Sequence, residues 1–286
     1  MSGYSIFEGT IVDMTWPEVE EAVKKEALML IPVGVIEQHG PHLPLGTDIY
    51  AASLMCSLIK AELEIAGAPS VIAPPYYFGI NWATAMFPGS ISIRKGTMIS
   101  VLSDLFGDYA RHGFKRQFIL NHHGDPEHND ALIQAVLKSR ERAVDAVLIV
   151  AGLVKFAIER ACEKAALPLS SPAVLEVRES DETSEARERL NRSELHIHAE
   201  ERETSMIMRW YPELLNREGD IPSLKAVLPS YEEFISYEFA GKWRELSPHG
   251  HIGDPSVATK SNGELYQHES RDIAASITDF LASQKG

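Results

Sequence analysis

Two cysteines in 286 residues, Cys56 and Cys162, are too few and too scattered for a disulfide framework or a zinc ribbon. Both lie among apolar residues in helical patterns, which predicts small core side chains in a reducing, cytoplasmic setting. No stretch approaches the ~18 consecutive apolar residues of a membrane span. Met1-Ser2-Gly3-Tyr4 lacks the basic start and apolar run of a secretory leader. Basic runs are missing too: 27 Lys and Arg stand against 41 Asp and Glu, a net charge of −14. That balance argues against a nucleic-acid partner, which needs clustered cations to meet its phosphates. A Gly-x-Ser-x-Gly turn is absent and neither cysteine has a reactive setting, which disfavours a covalent nucleophile. There is no glycine-rich phosphate loop.

What is present is ordinary globular material, 44% hydrophobic and 24% charged. The length suits a large α/β domain, and without an internal repeat or obvious linker the chain reads as one domain over 1–286. Thr15, Pro17 and Glu18 mark a helix start. The apolar run from Ala27 to Val33 fits a buried parallel strand, and a helical pattern follows from Thr47 to Ala66. A short strand is expected at 71–73, helices near 97–111 and 129–142, and strands at 117–120 and 146–151. Such alternation predicts right-handed crossovers and a mainly parallel sheet covered on both faces. Beyond Pro168 the chain becomes charged, with an exposed excursion or lid over 170–195 that is helical from about Ser184. Residues 212–247 read as irregular surface, and a last helix spans about 270–282.

The chemistry gathers where strands end. Glu37 and His39, two apart after the first strand, point to one side of an extended chain, and Asp48 follows at a helix start. His123 and Asp125, again two apart, follow another strand. The crevice beyond the carboxyl ends of parallel strands is where α/β proteins form sites. These five side chains exceed what one tetrahedral zinc needs, so Asp48 is the candidate bridge between two divalent ions. Mixed imidazole and carboxylate donors suit zinc or manganese; iron also fits. His42, His122 and His128 are expected to support the ligands or pack the loops. His198 and Glu203 form a third group beside a predicted helix. They suit a proton shuttle and general base, and they read equally as a surface His beside a capping Glu. The aromatic, Gly- and Pro-rich 76–92 loop suits a pocket wall, which makes Trp82, along with His42, a candidate substrate contact.

These segments, in this order, resemble the creatininase (creatinine amidohydrolase) family. The first metal motif is Glu37-Gln38-His39-Gly40-Pro41-His42-Leu43-Pro44-Leu45-Gly46-Thr47-Asp48, and Phe87-Pro88-Gly89-Ser90 is similar to a Phe-Pro-Gly-Thr segment. Asn121-His122-His123-Gly124-Asp125 resembles the second metal motif, and His198-Ala199-Glu200-Glu201-Arg202-Glu203-Thr204-Ser205 a His-Ala-Gly-Glu-x-Glu-Thr-Ser motif. Gly253-Asp254-Pro255 is similar to a late Gly-Asp-Pro segment. The resemblance runs from about residue 27 to 265. It implies a three-layer α/β/α fold with two divalent ions per subunit. Glu37, Asp48 and His123 would hold one ion, and His39, Asp48 and Asp125 the other. His198 would transfer protons, with Glu203 as its partner. The implied reaction is attack of a metal-bridging hydroxide on a carbonyl of a small, cyclic, polar substrate, in a homohexamer built as a trimer of dimers.

Departures from the pattern are specific. His122 stands where the family reads Gly, Asp125 where it reads Glu, Pro126 where it reads Asn, and Glu200 where it reads Gly. No tryptophan lies between 122 and 197, where creatininases cover their substrate, so a substrate other than creatinine is expected. The acidic 170–195 stretch is expected to roof the pocket instead. A ring-opening hydrolase of a keto-sugar such as a dehydro-inosose is the competing reading within the family. A non-catalytic metal-binding protein is the competing reading outside it.

Overall fold

Five short strands, nearly all apolar, carry the architecture. In the computed structural model, which describes residues 5–190, 196–215 and 218–284, they are β1 (Leu28–Val33), β2 (Ser70–Ile72), β3 (Arg116–Asn121), β4 (Asp145–Val150) and β5 (Val174–Glu176). They pair in the order β2-β1-β3-β4-β5, and every pair is parallel. All six residues of β1 are buried, as a strand covered on both faces requires.

Side chains alternate between two cores. Met29, Ile31, Val33, Ile119 and Leu148 face one layer of helices: α1 (Trp16–Lys24), α3 (Lys95–Arg111), α4 (Pro126–Arg140) and α5 (Lys155–Lys164). Leu28, Leu30, Phe118, Leu120 and Val147 face the other: α2 (Thr47–Ile65), α7 (Glu201–Trp210) and α10 (Leu265–Ser283). The expected three-layer α/β/α arrangement is therefore present, with helices on both faces of a parallel sheet. α1 starts with the expected capping box, Thr15 against Glu18.

Three segments differ from the reading of the sequence. α5 surrounds Cys162, where a helical pattern was read without bounds, β5 lies inside the stretch expected to be an exposed excursion, and α4 begins at Pro126 rather than near 129. The charged excursion holds α6 (Asp181–Leu190), tied to α10 by Arg187 donating to Glu269 at 2.7 Å and by Ser180 to Asp272; residues 191–195 lie outside the described chain. The region expected to be irregular, 212–247, contains α8 (Tyr231–Phe239) and α9 (Trp243–Leu246). Here Ser230 accepts from the Glu233 N–H and caps α8. Phe234 and Trp243 pack with Ala83 and Ile252 in a small third core.

β1 and β3 lie side by side at the centre of the sheet, and Val33 pairs with Asn121 at their carboxyl ends. The loops that carry Glu37 and His123 therefore leave the sheet as neighbours.

Candidate metal centre

Gly34 lets the first loop close. A Cβ there would lie 2.8 Å from the Asp48 carbonyl carbon and 2.9 Å from the Ile49 nitrogen. Without that atom, the first turn of α2 presses against the end of β1 and carries Asp48 over the loop. The Glu37 N–H donates to Leu45 at 3.0 Å, and Ser90 Oγ accepts from the Gln38 N–H at 3.0 Å. The Phe-Pro-Gly-Ser segment thus braces the loop from outside.

Six side chains converge. His123 Nδ1 is 2.9 Å from Glu37 Oε1 and 3.1 Å from Asp48 Oδ2. His39 Nε2 is 3.2 Å from Asp48 Oδ1 and 3.8 Å from Glu203 Oε1. His198 Nδ1 is 3.9 Å from Glu37 Oε1. The ligand atoms form three overlapping sets, each within 4.8 Å: Glu37, Asp48 and His123; His39, Asp48 and Glu203; Glu37, His39 and His198.

Each imidazole is held by a backbone carbonyl on its far side. His39 Nδ1–H donates to Glu37 (3.1 Å), His123 Nε2–H to Ile80 (3.0 Å) and His198 Nε2–H to Gln38 (2.6 Å). A carbonyl accepts only, so the opposite nitrogen of each neutral ring turns a lone pair into the cluster. Asp48 Oδ2 is buried and has no hydrogen-bond donor. Lone pairs aimed at an orphaned carboxylate oxygen call for a cation between them, and the N and O donor set fits divalent zinc or manganese.

The titration behaviour agrees. Burial opposes charge on His39, yet Asp48 and Glu203 outweigh it and lift the imidazole to about 9. Burial likewise opposes charge on His123, and Glu37 and Asp48 lift it well above its ordinary value. Glu37 and Asp48 are desolvated, but the neighbouring imidazoles keep both below the usual carboxylate range. Without metal, protons on the imidazoles answer the negative charge that cations would otherwise meet.

The loop and helix that present His198 and Glu203 are fixed from the C-terminal part of the chain. His198 bridges Ile252 in antiparallel fashion, next to the Gly-Asp-Pro segment. Ala199, at φ 52°, makes the left-handed turn, while Glu200 is extended and caps α7. Glu at 200 therefore costs no backbone strain, and Gly253 makes room for it, since a Cβ at 253 would sit 2.5 Å from Glu200 Cβ. The Ala199 N–H holds Glu203 Oε2 and leaves Oε1 facing His39.

Three expected site residues stand outside the ligand cluster, although Asp125 still lines the cavity. Asp125 does not join the second triad. Its Oδ1 accepts from the N–H groups of Glu127 (2.9 Å) and His128 (3.2 Å), and its Oδ2 from the Trp82 N–H (2.7 Å). With Pro126 as first helical residue, Asp125 is the N-cap of α4, and its short side chain folds back onto the helix end. Glu203 takes the place beside His39. His42 lies outside the cavity: it bonds Thr204 Oγ1 at 3.0 Å, and burial and nearby imidazoles lower it to about 3. Trp82 is 62% exposed, and its side chain is not in the cavity wall. His122 and His128 fit their supporting roles, His122 against the Tyr266 hydroxyl and His128 beneath Ile80.

The site opens into a cavity of about 390 Å³ floored by Glu37, Asp48, His123, His198 and Glu203. Its roof is Phe234, Ile235 and Trp243, from α8 and α9, and not the described part of the 170–195 stretch. Thr84, which the sequence did not single out, donates to Glu37 Oε2 at 2.5 Å and leaves Oε1 to face His123. Gln38 was also missed as a brace: its side chain joins Gly40 and Gly250 across the loop.

A family model described as "Creatininase: Creatinine amidohydrolase" matches residues 12–277. A mycofactocin precursor peptide peptidase of Mycolicibacterium smegmatis is 28% identical over 83% of this chain and 78% of its own length. A creatinine amidohydrolase of Pseudomonas putida is 30% identical over 42% of this chain and 45% of its own. A 3-dehydro-scyllo-inosose hydrolase of Thermotoga maritima is 28% identical over 39% and 34%. Among solved structures, a manganese creatininase superposes with a TM-score of 0.64 at 21% identity over 95% of this chain and 98% of its own. A mutant creatininase of zinc–zinc type gives 0.65 at 20% over 97% and 98%.

Proposed function

The chain belongs to the creatininase family, and on that premise we propose that it is a two-metal amidohydrolase that cleaves an amide C–N bond. One observation carries this reading: two ligand triads share Asp48 at the floor of a cavity of about 390 Å³, with the free nitrogen of His198 beside them. Glu37, Asp48 and His123 would hold one ion, and His39, Asp48 and Glu203 the other. When bound, two divalent ions lower the pKa of water and polarise a carbonyl oxygen.

The side chains supply the rest. Thr84 fixes Glu37 and the Ala199 N–H fixes Glu203, so both carboxylates present one free oxygen. Hydrolysis consumes one water: its oxygen joins the carbonyl carbon, the C–N bond breaks, and a proton passes to the departing nitrogen. His198 Nδ1 accepts that proton and returns it, because Nε2 stays committed to Gln38. Trp243 packs T-shaped against the His198 ring, centroids 5.7 Å apart, and so helps to hold the imidazole in place.

The roof bears on the substrate. Phe234, Ile235 and Trp243 offer few partners for a polyhydroxylated ring, which favours an amide with an apolar part over a keto-sugar. The oligomer belongs to the same proposal: Trp82, Phe78 (43%) and Ile91 (43%) are exposed together on the 76–92 segment, as a subunit contact would use them.

Metal analysis coupled to amide hydrolysis tests the reading. Two divalent ions per chain are expected. His198→Ala should keep both and lose turnover by a factor of about 10² or more. Less than one ion per chain, with none rebinding, sinks the proposal, and retained turnover in His198→Ala removes that residue from the reaction.

A further inference from the structure

The cavity extends to α5. Phe156, Ala157, Arg160, Ala161 and Lys164 of α5 line it. The nine residues from Phe156 to Lys164 span eight helical steps, about 12 Å, the reach of roughly three to four extended residues. The two cations on it differ. Lys164 is paired with Glu127 (3.1 Å) and Asp130 (2.9 Å). Arg160 forms no ion pair among the described residues. Its Nη1–H donates to the Tyr231 hydroxyl at 3.2 Å, and its guanidinium lies 5.6 Å over the Phe156 ring.

Two aromatics thus hold a guanidinium fork that has most of its five N–H groups unspent. Glu238 lines the same cavity without bonding it. Burial and the Asp125 charge lift that carboxyl to about 7 against the pull of Arg160, so near neutrality it is a weak counter-ion. The same lining includes the apolar side chains of Phe234, Ile235 and Trp243. A largely apolar slot with an unpaired guanidinium at its solvent-exposed end, beside the exposed rings of Phe156 and Tyr231, fits an organic carboxylate with a bulky apolar body.

We propose that Arg160 binds a substrate carboxylate, and that the substrate is an amide whose amine half carries that carboxylate and a large apolar or aromatic side chain. An N-acylated amino acid and the carboxyl-terminal end of a peptide share this chemistry. The inference rests on the amidohydrolase reading for what happens to the bound molecule, and on Arg160 alone for why it binds.

The test uses metal-loaded protein and four probes: N-acetylphenylalanine, its carboxamide, glycyl-glycyl-phenylalanine and its carboxamide. Affinity is measured by calorimetry, or as KM where a probe is consumed. Each acid should bind about 10- to 100-fold more tightly than its amide, from the worth of a hydrogen-bonded charge. Arg160→Ala should abolish that preference with unchanged melting temperature, and Arg160→Lys should restore part of it. The tighter of the two acids identifies the source. Acids that bind no better than amides overturn the inference. So does a preference that survives in Arg160→Ala, which would place the carboxylate on the metal ions. An Arg160-dependent preference without hydrolysis of any probe would uphold the binding role and count against the amidohydrolase reading.

Discussion

Asp125 and Glu203 compete for one role, and exchanging each for its amide separates them. Asp125 accepts three backbone N–H bonds: two cap α4, and one holds Trp82 at 2.7 Å. In Asp125→Asn one oxygen still caps the helix, because Asn and Asp are equivalent N-caps. The new NH2 group then faces the Trp82 N–H, which loses its acceptor. An unsatisfied polar group of this kind costs about 1–3 kcal/mol. At the unfolding entropy of a chain this long, that lowers the melting temperature by roughly 2–5 °C. The metal content should stay at two ions per chain. Glu203→Gln acts on the other term. It leaves a neutral oxygen 3.8 Å from His39 Nε2, where the proposal has a carboxylate balance the second ion. That should weaken the second ion by more than the 10- to 100-fold typical of removing a mere supporting group. Metal content after dialysis against a weak chelator, set beside a thermal melt, reads both effects. If Asp125→Asn drops to one ion while Glu203→Gln keeps two, the assignment from geometry is wrong and the family pattern holds.

Two further outcomes follow from the same site. In metal-free protein, His39 titrates near 9, against about 6.5 in an unfolded chain. Its stabilisation is complete below about pH 6.5 and is lost as pH rises through 9, a change on the order of 3 kcal/mol from this group. Urea unfolding of the metal-free protein should therefore show lower stability at pH 9.5 than at 6.5, metal uptake at pH 7 should release protons, and equal stability at both values would refute the linkage. Gly34→Ala should drive its Cβ into the first turn of α2, where the Asp48 carbonyl carbon lies 2.8 Å away. Overpacking of this kind costs about 1–3 kcal/mol, and loss of both ions should accompany it; a variant that keeps full metal content would show that α2 can move aside.

How much of this was legible in the sequence depends on range. The convergence of Glu37, His39 and His123 was readable because each sits within a few residues of a strand end, where a two-residue spacing fixes which side chains share a face, and Asp48 because it opens the helix that follows. His198 and Glu203 were readable through their motif, although what holds them, Ile252 and Gly253, lies about fifty residues on. Asp125 is bonded to the α4 N-terminus and not placed in the ligand cluster, because two local signals overlap in the same residues. By position it answers to a family ligand, whereas Asp before Pro is also an N-cap and first helical turn, and a side chain one methylene shorter than Glu follows the nearer donors. α8 was present in the sequence but unread: Ser230 stands three residues before Glu233, with Tyr231, Phe234 and Ile235 on one helical face. Nothing local says that this face lines a cavity shared with residues up to about two hundred positions upstream, nor that Arg160 shares that cavity. The acidic 170–195 stretch has the more conspicuous composition, but its described helix pairs its Arg187 and Ser180 with α10, which leaves the roof to the plainer segment. The candidate metal-ligand residues come from loops next to strands and from motif segments. The residues that line the rest of the cavity come from surface helices that the strand pattern does not constrain. The candidate cluster was therefore readable from motifs, while the lining of the cavity became visible only when the helices were in place.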